Sequence, residues 1–221
     1  MISPHEKSST VRIIEVYASI QGESTAAGRP CVFVRLAGCD LRCTWCDSEF
    51  TFTGGTSRNI DELVAEVHAH GLKMVEVTGG EPLLQRTAPA LMSALLTAGH
   101  DVYLETSGSH DISVVPDGVV TVMDLKAPGS GEHLKNNLNN LALLKRTDEL
   151  KCVVLDRDDY VWCRDIIAKH DLYERCEVLF SPVHGVLEPS ELVDWVVTDK
   201  LNARVQLQLH KYIWDPVARG V

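Results

Sequence analysis

Three of the seven cysteines crowd one short stretch, in the order Cys39-x3-Cys43-x2-Cys46. Thiolates at that spacing can hold three corners of one metal centre. A closed structural zinc site needs four protein ligands, and a fourth is not at hand: His68, the nearest downstream histidine, falls on a predicted helix, and Cys31 lies inside a predicted strand. Three protein ligands suit a [4Fe–4S] cluster with one iron left open for a substrate or cofactor. A zinc knuckle is the alternative. Cys31, Cys152, Cys163 and Cys176 are scattered and read as buried thiols acting as small hydrophobes. The odd cysteine count, and a polar start from Met1 to Arg12 with no apolar signal core, argue against a disulfide framework.

Other polar groups fall in short clusters: Thr78-Gly-Gly-Glu81, Glu105-Thr-Ser-Gly108, Asp124-Leu-Lys126, Ser181-Pro-Val183 and His210-Lys211. Each follows or ends an apolar, β-branched run that reads as a strand. The predicted strands cover 31–36, 73–78, 101–106, 119–125, 150–155, 176–181 and 204–209. Between them lie predicted helices, from an Asn59 cap to Gly71, then 88–98, 136–144, 159–169 and 189–197. Such alternation predicts right-handed βαβ units and a parallel sheet. An open doubly wound sheet and a full or partial α/β barrel both fit, as one domain over residues 1–221. Ligands of parallel α/β folds bind at the carboxyl ends of the strands, so the polar clusters converge on one cavity. The stretch from Ala127 to Asn140, rich in Gly, Ser and Asn, reads as a mobile loop over it.

The composition sets the outer limits. Of 221 residues, 45% are apolar and 24% charged, an ordinary globular balance. Lys and Arg number 21 against 31 Asp and Glu, a net charge of −10, which argues against holding a nucleic-acid backbone. No apolar run reaches the roughly 18 residues of a membrane helix. A cytoplasmic protein is expected.

The stretch Cys39-Asp-Leu-Arg-Cys-Thr-Trp-Cys46 resembles the cluster loop of the radical S-adenosylmethionine superfamily. Gly79-Gly-Glu-Pro82 resembles that superfamily's glycine-rich motif beside the methionine end of the cofactor. More narrowly, Gln21-Gly-Glu23, Phe33-Val-Arg-Leu36, Cys46-Asp-Ser48, Thr78-Gly-Gly-Glu-Pro82, Glu105-Thr-Ser-Gly108 and Gln208-Leu-His-Lys211 look like the 7-carboxy-7-deazaguanine synthase family. The likeness runs from about Ile14 to His210.

That resemblance implies a modified partial (β/α) barrel with its site at the C-terminal ends of parallel strands. It also implies a chemistry: a reduced cluster cleaves S-adenosylmethionine, the 5′-deoxyadenosyl radical takes a hydrogen from 6-carboxy-5,6,7,8-tetrahydropterin, and the ring contracts with loss of ammonia. The product is 7-carboxy-7-deazaguanine, on the route to queuosine and related 7-deazapurines. Mg2+ assists, a reducing donor such as flavodoxin or ferredoxin supplies electrons, and members are usually homodimers. Carried over by position, Cys39, Cys43 and Cys46 would hold the cluster and Ser48 the Mg2+. Trp45, Cys46, Asp47, Gly80, Asp124, Leu125, Lys126, Ser181, Pro182 and Val183 would contact adenosylmethionine. Arg35 would pair with the substrate carboxylate, while Ile20, Gln21, Gly22 and Glu23 would meet the pterin ring. Thr78, with Glu105 and His210 as catalytic groups, would complete that pocket.

Two positions depart from the family's pattern. Ser24 stands where glycine is usual, so a different turn is expected there, and Ser48 stands for a more usual threonine. Some members use a C-terminal carboxylate at the substrate, and the tail from Trp214 to Val221 is long enough for that. Two other readings share the cysteine triad. A glycyl-radical-enzyme activase would act on a protein, whereas Arg35, Glu23 and His210 suit a small carboxylated heterocycle. A non-catalytic zinc or iron–sulfur binding module would perform no turnover.

Overall fold

A computed structural model describes residues 10–221, so all but Thr10 to Arg12 of the polar N-terminal stretch lies outside the described residues. Nine strands form one sheet: β1 (Thr10–Ile20), β2 (Pro30–Leu36), β3 (Thr56–Asn59), β4 (Met74–Gly79), β5 (Asp101–Thr106), β6 (Val120–Asp124), β7 (Glu149–Val154), β8 (Glu177–Pro182) and β9 (Arg204–Val205). Their order is β3-β1-β2-β4-β5-β6-β7-β8-β9. From β2 across β4 to β9 every neighbour is parallel, while β1 runs antiparallel to both β2 and β3. The sheet does not close, so the expected partial barrel is the architecture found. The helices are α1 (Ile60–Ala69), α2 (Ala88–Thr97), α3 (Arg157–Lys169), α4 (Pro189–Thr198) and α5 (His210–Ile213). No helix among the described residues is long and apolar enough to cross a membrane.

Side-chain alternation divides the sheet into two unlike faces. Val32, Val34 and Leu36 of β2, Val75 and Val77 of β4, Leu150, Cys152 and Val154 of β7, and Phe180 of β8 point outward. They join one core with Leu63 and Val67 of α1, Leu91 and Leu95 of α2, Cys163 and Ile167 of α3 and Leu192 of α4. Each such side chain removed from water contributes roughly 1.5–3 kcal/mol. The inward residues are Phe33 and Arg35, Glu76 and Thr78, Glu105, Asp124, and Lys151, and they line a cavity. Buried parallel sheets are ordinarily apolar on both faces. A polar inner face is therefore a costly feature that asks for a function. At its lower end Ala26, Cys31, Phe33 and Met74, packed against Tyr17 and Tyr103, form an apolar floor.

Several expectations change. The strand predicted at Arg204 to Leu209 ends at Val205, because the segment beyond it turns to bond the β1–β2 connection: Leu209 N–H donates to Gly22 O at 2.9 Å and Gln208 Nε2 to Glu23 Oε1 at 2.5 Å. The helix predicted at Asn136 to Leu144 is replaced by a short 3-10 turn at Leu138–Ala142, with two more before it at Pro128–Ser130 and His133–Lys135. Asparagine side chains compete with helical hydrogen bonding there. Asn136 Oδ1 accepts from Lys126 N–H at 3.0 Å, and Asn140 Oδ1 from Ile112 N–H at 3.2 Å. The Ala127 to Asn140 stretch is thus not a free loop over the cavity. Ala127, Ser130 and Asn140 are fully buried, and the segment braces the cysteine loop. β1 and β3 were not anticipated.

Candidate active site

The cysteine loop leaves β2 and is held from two sides. Glu81 N–H donates to Gly38 O at 2.8 Å, tying it to the end of β4. From the other side Thr44 donates through N–H to Ser130 O at 3.1 Å and through Oγ1 to Gly129 O at 2.8 Å, and Arg42 N–H donates to Glu132 Oε1 at 2.6 Å. Gly80 is needed for this approach: a Cβ there would stand 2.3 Å from Gly38 O and 2.6 Å from Cys39 Cβ. Cys39, Cys43 and Cys46 are half-buried and line the same cavity, of about 350 Å³. Burial pushes all three thiols up; beside Cys43 the Lys126 ammonium opposes that push. Sulfur-only donors on a braced loop, against a glycine cradle, fit an iron–sulfur cluster with one iron open to the cavity. Next to them Ser48 Oγ donates to Asp47 Oδ1 at 2.9 Å, and Lys211 Nζ lies 2.7 Å from Asp47 Oδ2. Burial would raise the Asp47 carboxyl, but Lys211 and the Ser48 hydrogen bond outweigh it and hold it at about 2. These oxygens are hard donors of the type Mg2+ takes.

Near the C-terminal end of β2 Arg35 donates through Nε to Glu15 Oε1 at 2.9 Å and through Nη2 to the Tyr17 hydroxyl at 2.8 Å, beside the Phe50 ring. The antiparallel β1 delivers its outgoing turn, Gln21 to Glu23, to the opposite end of the sheet from the cysteine loop. The cavity therefore opens at the C-terminal strand ends and runs down the polar inner face to this turn. Ser24 adopts φ +62°, the left-handed region glycine takes freely, and its Oγ accepts from Ala26 N–H at 3.0 Å. The serine thus supports a glycine-like turn.

The polar inner face of the cavity is a network. Lys151 Nζ donates to Glu23 Oε2 at 2.5 Å and to Glu105 Oε1, and lies 3.4 Å from Asp124 Oδ1; Lys126 Nζ donates to Asp124 Oδ2 at 2.5 Å. Thr78 Oγ1 donates to Glu105 Oε2 at 3.0 Å. Burial acts to raise Glu105, yet the Lys151 ammonium and Thr78 prevail and keep it at about 2. Glu76 goes the other way. Burial, with Glu105 and Glu23 nearby, drives it well above the carboxylate range, and Gln21 Nε2 donates to its Oε2. His210 is lowered, first by burial, which favours its neutral form, and its Nδ1 would stand 2.3 Å from a Cβ on Gly22.

Most of the predicted site residues meet at this cavity. Ile20, Gln21, Gly22, Glu23, Arg35 and Thr78 line it with Trp45, Cys46, Asp47, Ser48 and Gly80, and so do Glu105, Asp124, Lys126, Val183 and His210. The Gln21 side chain is committed within the protein, between Glu76 and the Glu23 N–H, which it accepts at 2.9 Å. Three residues stand apart. Leu125 is buried in the core, the Ser181 hydroxyl is buried without a partner, and Pro182 lines a smaller neighbouring pocket with Leu187 and Tyr212. Glu76 and Lys151 escaped the sequence reading, as did Tyr17 and Phe50. The available signal was a charge placed inside an otherwise apolar run, as in Met74-Val-Glu-Val77 and Leu150-Lys-Cys-Val153.

Residues 34–120 match the Radical SAM superfamily model. Over 96% of its length the chain is 44% identical to the 7-carboxy-7-deazaguanine synthase of Koribacter versatilis, all of which is covered. The chain belongs to the 7-carboxy-7-deazaguanine synthase family. The relative from Chlorobaculum tepidum is 45% identical over 96% of this chain and 97% of its own. A crystal structure of QueE from Escherichia coli shares the fold with a TM-score of 0.71 at 23% identity, covering 91% of this chain and 95% of that one. Family membership agrees with the motif-based expectation, and the open, mostly parallel sheet is the partial barrel it implied.

Proposed function

We propose that this chain is a 7-carboxy-7-deazaguanine synthase, contracting the ring of 6-carboxy-5,6,7,8-tetrahydropterin with release of ammonia. One observation carries the reading: three loop thiols and a buried guanidinium–carboxylate set share a single cavity. When bound, the cluster and S-adenosylmethionine supply a hydrogen-abstracting radical, fed by an external reductant. The chain's own residues bind, orient and keep water out. Arg35 presents its remaining N–H groups to the substrate carboxylate, a geometry its planar fork favours. Glu23 accepts from the donor edge of the pterin, and Thr78, Glu105 and neutral His210 face the ring. His210 can accept a proton that a charged imidazole could not. Trp45, Asp47, Gly80, Lys126 and Val183 surround adenosylmethionine, and Ser48 offers Mg2+ its oxygen. We read residues 10–221 as one domain, acting in the cytoplasm as a homodimer. The activase and zinc-module readings lack a use for the buried Arg35, Glu23 and Glu105 constellation.

The test is anaerobic reconstitution of the chain followed by turnover with carboxytetrahydropterin, S-adenosylmethionine, dithionite and Mg2+. About four irons and four sulfides per chain and a deazapurine product by mass spectrometry are expected. One zinc without sulfide, or a loaded cluster that cleaves adenosylmethionine but yields no deazapurine, overturns the reading.

A further inference from the structure

One ammonium stands between the two ends of the cavity and has no part in the roles assigned so far. Lys151 lies in the middle of β7 with its side chain 5% exposed. Its Nζ is 2.5 Å from Glu23 on the β1–β2 turn, in contact with Glu105 on β5, and 3.4 Å from Asp124 on β6. Asp124 Oδ1 is buried with no hydrogen-bond partner of its own, which leaves Lys151 as the cation that faces it. The other charged or titratable groups around this point are Glu76 from β4, Arg35 from β2, Lys126 beyond β6 and His210 from α5. A primary ammonium has three donors and no acceptor, so it can serve three carboxylates arriving from three segments.

We propose that Lys151 is a positioning residue, whose ammonium fixes Glu23 and Glu105 at the substrate end in register with Asp124, the partner of Lys126, at the cofactor end. The proposal rests on the reading of Glu23 and Glu105 as groups that face the pterin. Without the ammonium, only Thr78 and the more distant Arg35 charge oppose burial at Glu105, which then moves up from about 2 toward the working pH range. A carboxylate that must be ionised to function loses activity as pH falls through its own pKa, so the acid limb of the rate profile moves to higher pH.

The test is Lys151→Met in the full chain, with two readouts. In reconstituted enzyme, kcat/KM for carboxytetrahydropterin is expected to fall by about 100-fold, with its acid limb shifted up by about one pH unit or more. In cluster-free chain labelled with 13C at glutamate carboxyls, a resonance that does not titrate between about pH 5 and 8 in the parent is expected to titrate there in the variant. A lower rate with an unmoved pH profile and an unmoved resonance would assign Lys151 to packing and overturn the proposal. If Lys151→Met does not fold, Lys151→Met combined with Glu105→Gln removes the stranded carboxylate. Recovery of folded protein supports the pairing, and continued failure overturns it. A parent enzyme that makes no deazapurine defeats the functional reading, while the carboxyl titration still decides on Lys151.

Discussion

Arg35 is held before any substrate arrives, by Glu15 and Tyr17, with its side chain 15% exposed. That preorganisation removes most of the cost of fixing a long side chain on binding. Arg35→Ala is expected to weaken pterin binding by about 2–5 kcal/mol, measured by calorimetry with cluster-loaded enzyme; unchanged affinity would move carboxylate recognition elsewhere. Cys43→Ala should leave the circular dichroism spectrum unaltered while iron falls from about four per chain to near zero, since Cys43 is half-buried and lies outside the apolar core. Retention of a full iron complement would remove it from the ligand set. The two were legible for different reasons. A cluster needs thiolates at fixed spacing on one loop, whereas Arg35 stood out only through the family resemblance of Phe33-Val-Arg-Leu36. Lys151 and Glu76 were not, because their partners are assembled across strands. Glu23 and Lys151 are 128 residues apart in the chain, and no local pattern encodes that meeting.

At the scale of elements, the end of β4 and the cysteine loop are built to touch. Gly79 lies at φ +151°, and a Cβ at Gly80 would collide with backbone rather than with a yielding side-chain tip. Gly80→Ala should displace the loop and cut cluster loading by about an order of magnitude, with a loss of stability of about 1–3 kcal/mol. Iron content and urea denaturation check the two effects separately, and normal loading would argue that the loop yields. Apart from β3 and the helix expected at Asn136 to Leu144, the regular elements from β2 to α4 were legible to within a residue or two, because their apolar periodicity and caps agree. Asn59, for one, accepts from Asp61 N–H as the predicted cap of α1. Where the reading failed, local and distant bonding competed: Asn140 donates to Gly108 O and His110 O instead of continuing a helix, and Gln208 leaves the sheet for Glu23. β1 carries Arg12, Glu15 and Tyr17 among its apolar residues, which blurred its alternation.

For the molecule as a whole, the polar inner face carries a stability cost that depends on pH. Glu76 is held protonated in the folded chain but ionises at the ordinary carboxylate value once unfolded. The unfolded chain therefore binds fewer protons above that value, and stability declines as pH rises from it toward the folded pKa. Glu76→Gln keeps an acceptor for Gln21 and removes the ionisation. Its melting temperature relative to the parent should rise progressively from pH 5 to pH 8, and a difference independent of pH would contradict a protonated Glu76. Glu105 contributes in the opposite sense, its stabilisation fading as the medium is acidified toward about 2. The contact between Gln208 and Glu23 adds a different kind of consequence, since it joins residues 185 apart. Closing so long a loop is entropically expensive and comes late in folding. The cysteine loop and β4 lie much closer together in the chain, so a newly made chain is expected to gain the means to hold its iron first. Only afterwards does it gain the chamber in which a reactive species would be safely confined.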